Sequence, residues 1–290
     1  MEPPERILLP DGRAFGVDDV GDRRGRPIVY LHGTPDSRLA RHPDDAVAAR
    51  LGVRLLAVDR PGSGESDPHP AAGLTSIGDD LRALLDALGI ERAALLGWSS
   101  GGLAALAAAS VLGHRASAVT LVATMPPVEA YADAAVLAAL GPARRTFAEL
   151  ARDVPPAELA AEMAPYLLPM AITSEVALEH VLENAGPLGR SELAAVPGAA
   201  EQLALALQEA VREGLAGVEH DLELQLTPGL DLATVGAPVR LVHGSADEVS
   251  PPAVGEWLAE RLPEAALEVV ATAGHHLLFT QWADLLAPGG

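Results

Sequence analysis

Apolar residues in this chain change their spacing twice, and the two changes divide it into three stretches. Through residue 126, short, mostly apolar runs alternate with segments of helical period. Runs at 28–31, 53–59, 92–96 and 116–124 end at turn-forming or polar residues and are too short for ordinary helices, which suits strands covered on both faces. Ahead of them, 6–9 and 13–19 flank Pro10-Asp11-Gly12, a turn signal that predicts a hairpin. A helix is expected within 36–51. Another is expected where Ile77, Leu81, Leu84, Leu85 and Leu88 recur at helical spacing, with Ser76 and Asp79 as its start cap and Gly89 at its end.

From 127 to 236 the runs disappear. Ala/Leu/Glu segments broken by proline and glycine predict helices at 156–168, 174–185 and 198–215. The last carries a Leu203, Leu207, Val211, Leu215 stripe opposite Glu201, Gln208, Arg212 and Glu213. From 237 the alternation resumes. A strand is expected at 239–242, a helix from Ser250-Pro251-Pro252 to about Leu262, a strand at 267–270 and a terminal helix after Gly274-His275-His276. The pattern predicts an α/β fold with a mostly parallel sheet of eight strands and helices on both faces. Its expected divisions are 1–126, core; 127–236, a helical cap; and 237–290, the rest of the core.

One junction carries chemistry. Gly97-Trp98-Ser99-Ser100-Gly101 lies between an expected strand and the helix-forming run 102–109, and its Gly-x-Ser-x-Gly spacing fits a nucleophile elbow. At such a turn the Ser99 hydroxyl projects from the backbone, and the following amide, that of Ser100, faces a developing oxyanion. The uncharged stretch 93–113 is long enough for a membrane span, but it is mostly Ala, Gly and Ser with no anchor pattern, so a buried strand and helix are expected instead.

Composition narrows the partners. A formal charge of -20 with no lysine argues against a phosphate-binding surface, so no nucleic-acid or membrane partner is expected. The absence of cysteine removes disulfides, Cys-ligated zinc and a thiol nucleophile. The nine histidines are scattered without a metal-binding helix spacing, so neither metal nor cofactor is expected. The opening residues lack a basic and then apolar leader pattern, which makes a cytoplasmic location the expectation.

A serine hydroxyl needs a base and an acid that orients it. Near the late strands the histidines are His243, His275 and His276, and the Gly274-His275-His276 loop follows the last strand. With these residues in view, the chain resembles the α/β-hydrolase superfamily, close in pattern to its capped, epoxide-hydrolase-like and proline-iminopeptidase-like branch. The resemblance rests on His32-Gly33-Thr34-Pro35, the 59–66 loop, the elbow, His243-Gly244-Ser245-Ala246-Asp247 and Ala273-Gly274-His275, in the family's order. It implies Ser99 as nucleophile, His275 as base and Asp247 as orienting acid, with Glu248 the alternative acid and His276 the rival base. It further implies an oxyanion hole from the Thr34 and Ser100 amides, with the Thr34 hydroxyl as a further donor.

Trp98, Met125 and His276 are expected to line the substrate pocket. His32, Asp59 and Arg60 read as structural polar groups, and His220-Asp221 as a solvated loop. A serine in place of the aspartate used by epoxide hydrolases and dehalogenases disfavours those chemistries, and Trp98 departs from the iminopeptidase elbow. The expected function is hydrolysis of a carboxylic ester or related small acyl compound. The alternatives are C–C bond hydrolysis, a lyase or cyclase step on the same triad, and a binding module that keeps only the pocket.

Overall fold

The computed structural model describes residues 5–69, 71–165 and 173–287. Eight strands form one sheet: β1 (Glu5–Leu8), β2 (Ala14–Gly21), β3 (Arg26–Leu31), β4 (Val53–Val58), β5 (Ala93–Trp98), β6 (Ala116–Val122), β7 (Val239–Gly244) and β8 (Ala265–Val270). Their order across the sheet is β1-β2-β4-β3-β5-β6-β7-β8. The hairpin β1-β2 is antiparallel and joins β4 antiparallel; every pairing from β4 to β8 is parallel. Alternate residues of the central strands serve opposite faces, as the two-residue strand period requires. Val29, Leu31, Leu95 and Leu121 pack with helices α2 (Ser76–Ala87), α3 (Ser100–Leu112) and α11 (Pro252–Ala259). Ile28, Tyr30, Leu96 and Val122 pack with α1 (Ala46–Arg50), α12 (Leu277–Thr280) and α13 (Trp282–Leu286) on the other face.

The uncharged 93–113 stretch divides between β5 and α3, and no helix among the described residues is long and apolar enough to cross a membrane. Among the described residues, seven α-helices lie between β6 and β7: α4 (Ala134–Ala139), α5 (Pro142–Asp153), α6 (Pro156–Met163), α7 (Ser174–Asn184), α8 (Gly186–Ala194), α9 (Ala199–Ala210) and α10 (Ala216–Leu226). No strand occurs there among the described residues. The expected helix at 156–168 is described to 165, and its last residues lie outside the described ones.

The expected single helix at 198–215 stops at Ala210. Gly214 takes a φ of 98°, and Leu215 packs with α10 residues in a separate cluster instead of extending the stripe. Four insertion helices, α4, α5, α8 and α10, have no counterpart in the expected set. Ser250 does not cap α11, because Pro251 holds that position. Likewise Thr75, not Ser76, precedes α2, and the Ser76 hydroxyl instead accepts from the Gly73 amide at 2.9 Å.

Candidate active site

The loops that follow β3, β5, β7 and β8 meet at the carboxyl end of the sheet, the edge where open α/β sheets hold ligands. Ser99 is the first residue after β5 and has φ 54°, in the left-handed region that a side chain rarely occupies. Its backbone is fixed on both sides: the amide donates to the Val122 carbonyl, and the carbonyl accepts from the Gly102 and Met125 amides, each at 3.0 Å. A side chain on Gly97 would strike the Gly101 carbonyl, and one on Gly101 would strike the Leu31 and His32 carbonyls. The elbow glycines therefore allow β3, β5 and α3 to converge beneath the serine.

His275 connects the strand ends. Its Nε2 lies 3.1 Å from Ser99 Oγ, and its Nδ1 lies 2.9 Å from Asp247 Oδ2. The Asp247 side chain has no solvent exposure, and its other oxygen accepts from the Val249 and Ser250 amides at 2.8 and 2.9 Å. Burial pushes this carboxyl up, but the His275 charge and hydrogen bond, with those two amides, hold it below the ordinary carboxylate value. Glu248 lines the same cavity without a hydrogen bond to His275. The loop carrying His275 is held from outside as well. Trp98 Nε1 donates to the His275 carbonyl at 3.0 Å. The carboxylate of Glu192, on α8, accepts from the Gly274 amide at 2.6 Å and the His276 amide at 3.1 Å.

A second polar cluster lies beside the elbow. Arg60 Nη2 donates to the Gly33 carbonyl and Thr34 Oγ1 at 2.7 Å and to Ser100 Oγ at 3.2 Å, while Nη1 pairs with Asp221 of α10. Thr34 Oγ1 donates to Asp221 and accepts from Gln225 Nε2 at 2.7 Å. The Thr34 hydroxyl is thus committed within the protein, contrary to the expectation that it faces substrate. His220-Asp221 is not a loop, and Asp221 is buried. His32 matches its structural reading: Nδ1 donates to the Gly33 carbonyl at 2.7 Å and Nε2 accepts from the Arg60 amide at 3.0 Å, so this buried ring is neutral. Asp59 pairs with Arg38 at 2.6 Å in the expected internal network.

A cavity of about 760 Å³ opens above Ser99. Core residues Thr34, Asp36, Trp98 and His275 line it together with α7, α8 and α9 residues that include Val181, Leu188 and Leu207. Trp98 and His276 lie on its wall. Met125 does not: its sulfur lies 2.9 Å from Arg144 Nη2, in a buried position outside the lining.

Two lining groups hold a buried polar atom without a partner among the described residues: Asp36, which the sequence did not mark, and His276, which it did. Asp36 is 7% exposed, has no hydrogen-bond partner for buried Oδ1 among the described residues, and is pushed well above the ordinary carboxylate value by burial, with Arg60 opposing. His276 Nδ1 is buried with no partner among the described residues, and burial with the His275 charge lowers that ring to about 3. Among the described residues, no arginine lines the cavity.

Residues 26–281 match the family described as the alpha/beta hydrolase fold. A pimeloyl-[acyl-carrier protein] methyl ester esterase from Aromatoleum aromaticum is 30% identical over 264 residues, covering 86% of this chain and 90% of that protein. The dihydrolipoyllysine-residue acetyltransferase component of an acetoin cleaving system from Pseudomonas putida is 29% identical over 91% of this chain, which spans 62% of that relative's length. A crystal structure of a hydrolase from Pseudomonas aeruginosa PA01 superposes with a TM-score of 0.70 at 23% identity, covering 98% of this chain and 97% of that one. The match from β3 through β8 and the insertion between them, with the strand order described above, means that this chain belongs to the α/β-hydrolase family.

Proposed function

We propose that the protein is a serine hydrolase that cleaves uncharged carboxylic esters or lactones through an acyl-enzyme. The observation that carries this reading is the single imidazole within hydrogen-bond reach of both Ser99 Oγ and buried Asp247. An ionised carboxylate only accepts, so the proton of neutral His275 sits on Nδ1 and its Nε2 lone pair faces the serine. Ser99 Oγ attacks the ester carbonyl as its proton passes to Nε2, and Asp247 stabilises the imidazolium. That proton then leaves with the alcohol. Water, deprotonated by the same nitrogen, attacks the acyl-enzyme, and collapse of the second tetrahedral intermediate releases the acid and frees Ser99.

The oxyanion is assigned to the Ser100 amide, which as a first-turn amide of α3 has no intrahelical acceptor, and to the Thr34 amide. Each such donor contributes about 3 kcal/mol in the transition state. Helices α7, α8 and α9 act as the cap that encloses substrate and limits water. The substrate class follows from the wall. With Glu248 on it and no arginine among its described residues, an anionic acyl group meets no guanidinium on that wall.

The test is fluorophosphonate labelling of the serine followed by turnover of paired p-nitrophenyl esters, one acyl chain neutral and its partner ending in a carboxylate. The neutral ester is expected to turn over at least tenfold faster in kcat/KM. Equal or reversed preference contradicts the substrate class. Labelling without ester turnover moves the assignment to C–C cleavage or a lyase step, and a folded protein that never labels fits a binding module.

A further inference from the structure

Glu192 stands out because it belongs to the helical insertion yet its carboxylate is spent on the core. It projects from α8, is buried, and places one oxygen on the Gly274 amide and the other on the His276 amide, the two peptide groups that flank the proposed base. The carbonyl between them is held by Trp98 Nε1. The backbone of the His275 loop is therefore gripped from two sides, by the elbow strand and by the insertion.

The approach is close as well as polar. A side chain on Gly189, one turn before Glu192, would come within 2.6 Å of His276 Nδ1, and one on Gly274 would meet Leu188 at 2.9 Å. Burying a carboxylate is costly, and burial raises Glu192 above its ordinary value while the two amides oppose that shift. A surface glutamate would hold α8 to the core with less desolvation, and an apolar side chain would pack there but leave two buried amides unsatisfied.

We infer that Glu192 is a positioning residue that clamps the His275 loop from the cap, so that the seating of α8 sets the alignment of the base with Ser99. The inference rests on the serine-hydrolase reading above. Because Leu188 and Gly189 of the same helix line the cavity, substrate pressing on α8 acts on the helix that holds the base. A shift of the imidazole by about 1 Å lowers reaction by up to roughly a hundredfold without removing any group that touches substrate.

The experiment compares Glu192→Gln, which keeps one acceptor and turns the other into a donor facing an amide, with Glu192→Ala, which keeps neither. Steady-state kinetics on a neutral p-nitrophenyl ester and the rate of fluorophosphonate labelling are measured on folded protein, with thermal unfolding recorded in parallel. The expected result is graded: kcat and labelling rate fall together, about tenfold in Gln and roughly a hundredfold in Ala, while KM stays within about threefold.

Folded variants that label and turn over at the native rate overturn the inference, as does a loss confined to KM. If Ala does not fold, the Gln variant decides, and Glu192→Asp, which shortens the reach to both amides, serves as the second. Native protein that never labels defeats the serine-hydrolase reading instead, so the two failures are distinguishable.

Discussion

The core and the helical insertion each bring carboxylates to the site, and they use them differently. Asp247, from the loop after β7, bonds the His275 imidazole that faces Ser99. Glu192 and Asp221, from α8 and α10, bond loop backbone or loop-anchoring groups: the two amides around His275, and the Arg60–Thr34 pair beside Ser100. Asp36 is a third case, a core carboxyl on the cavity wall with no hydrogen-bond partner for Oδ1 among the described residues. The contrast teaches that loops at the sheet's edge carry the proposed reacting groups while the insertion fixes those loops.

The largest expected effect lies on the core side. Asp247→Asn keeps the shape but donates where a carboxylate accepts, which favours the wrong His275 tautomer. Ester kcat is expected to fall on the order of 10⁴-fold, the scale of the same change in a serine-protease triad, with KM little changed. A drop below tenfold breaks the division of labour.

On the insertion side, Asp221→Ala leaves the buried Arg60 guanidinium without its carboxylate. Urea unfolding should show a loss of about 3 kcal/mol, against less than about 0.5 kcal/mol for Asp79→Ala, whose exposed partner is Arg82. Equal losses in the two variants would remove the argument that Asp221 anchors the Thr34 loop.

The smallest effect sharpens the third case. A carboxyl whose folded pKa is raised binds its proton more tightly folded than unfolded, so stability is lost as pH climbs above the ordinary value of 3.8. Asp36→Asn is free of that loss. The variant should be more stable than native by about 1 kcal/mol near pH 8, with the gap closing toward pH 4. A difference that does not vary with pH means that the Arg60 charge cancels the effect of burial.

The same contrast explains what was legible in the sequence. The Ser99 elbow is marked locally by its glycine spacing, whereas Asp247 and His275 were singled out from Glu248 and His276 by the resemblance of their loops to the family's motifs. The inner strands were legible as short, mostly apolar runs closed by a breaker, and the β1-β2 hairpin by its Asp-Gly turn. Glu192 and Asp221 carry no such mark. Their partners lie 82 and 187 residues away along the chain, and a glutamate on an Ala/Leu/Glu helix looks like any solvated face until the helix is docked. Met125 failed in the opposite direction: its place after β6 suggested the pocket, but its side chain turned toward Arg144 on an insertion helix whose position the sequence did not reveal. The helix at 198–215 was drawn too long because a leucine stripe continues past Gly214, where the backbone turns left-handed.

The most direct measurement is intact-mass analysis after treatment with a fluorophosphonate, on native protein and on Ser99→Ala with its folding confirmed by circular dichroism. The account predicts one adduct on the native chain and none on the variant, because only a hydroxyl activated by His275 reacts. An adduct that persists in Ser99→Ala, or a folded native chain that gains none, contradicts it.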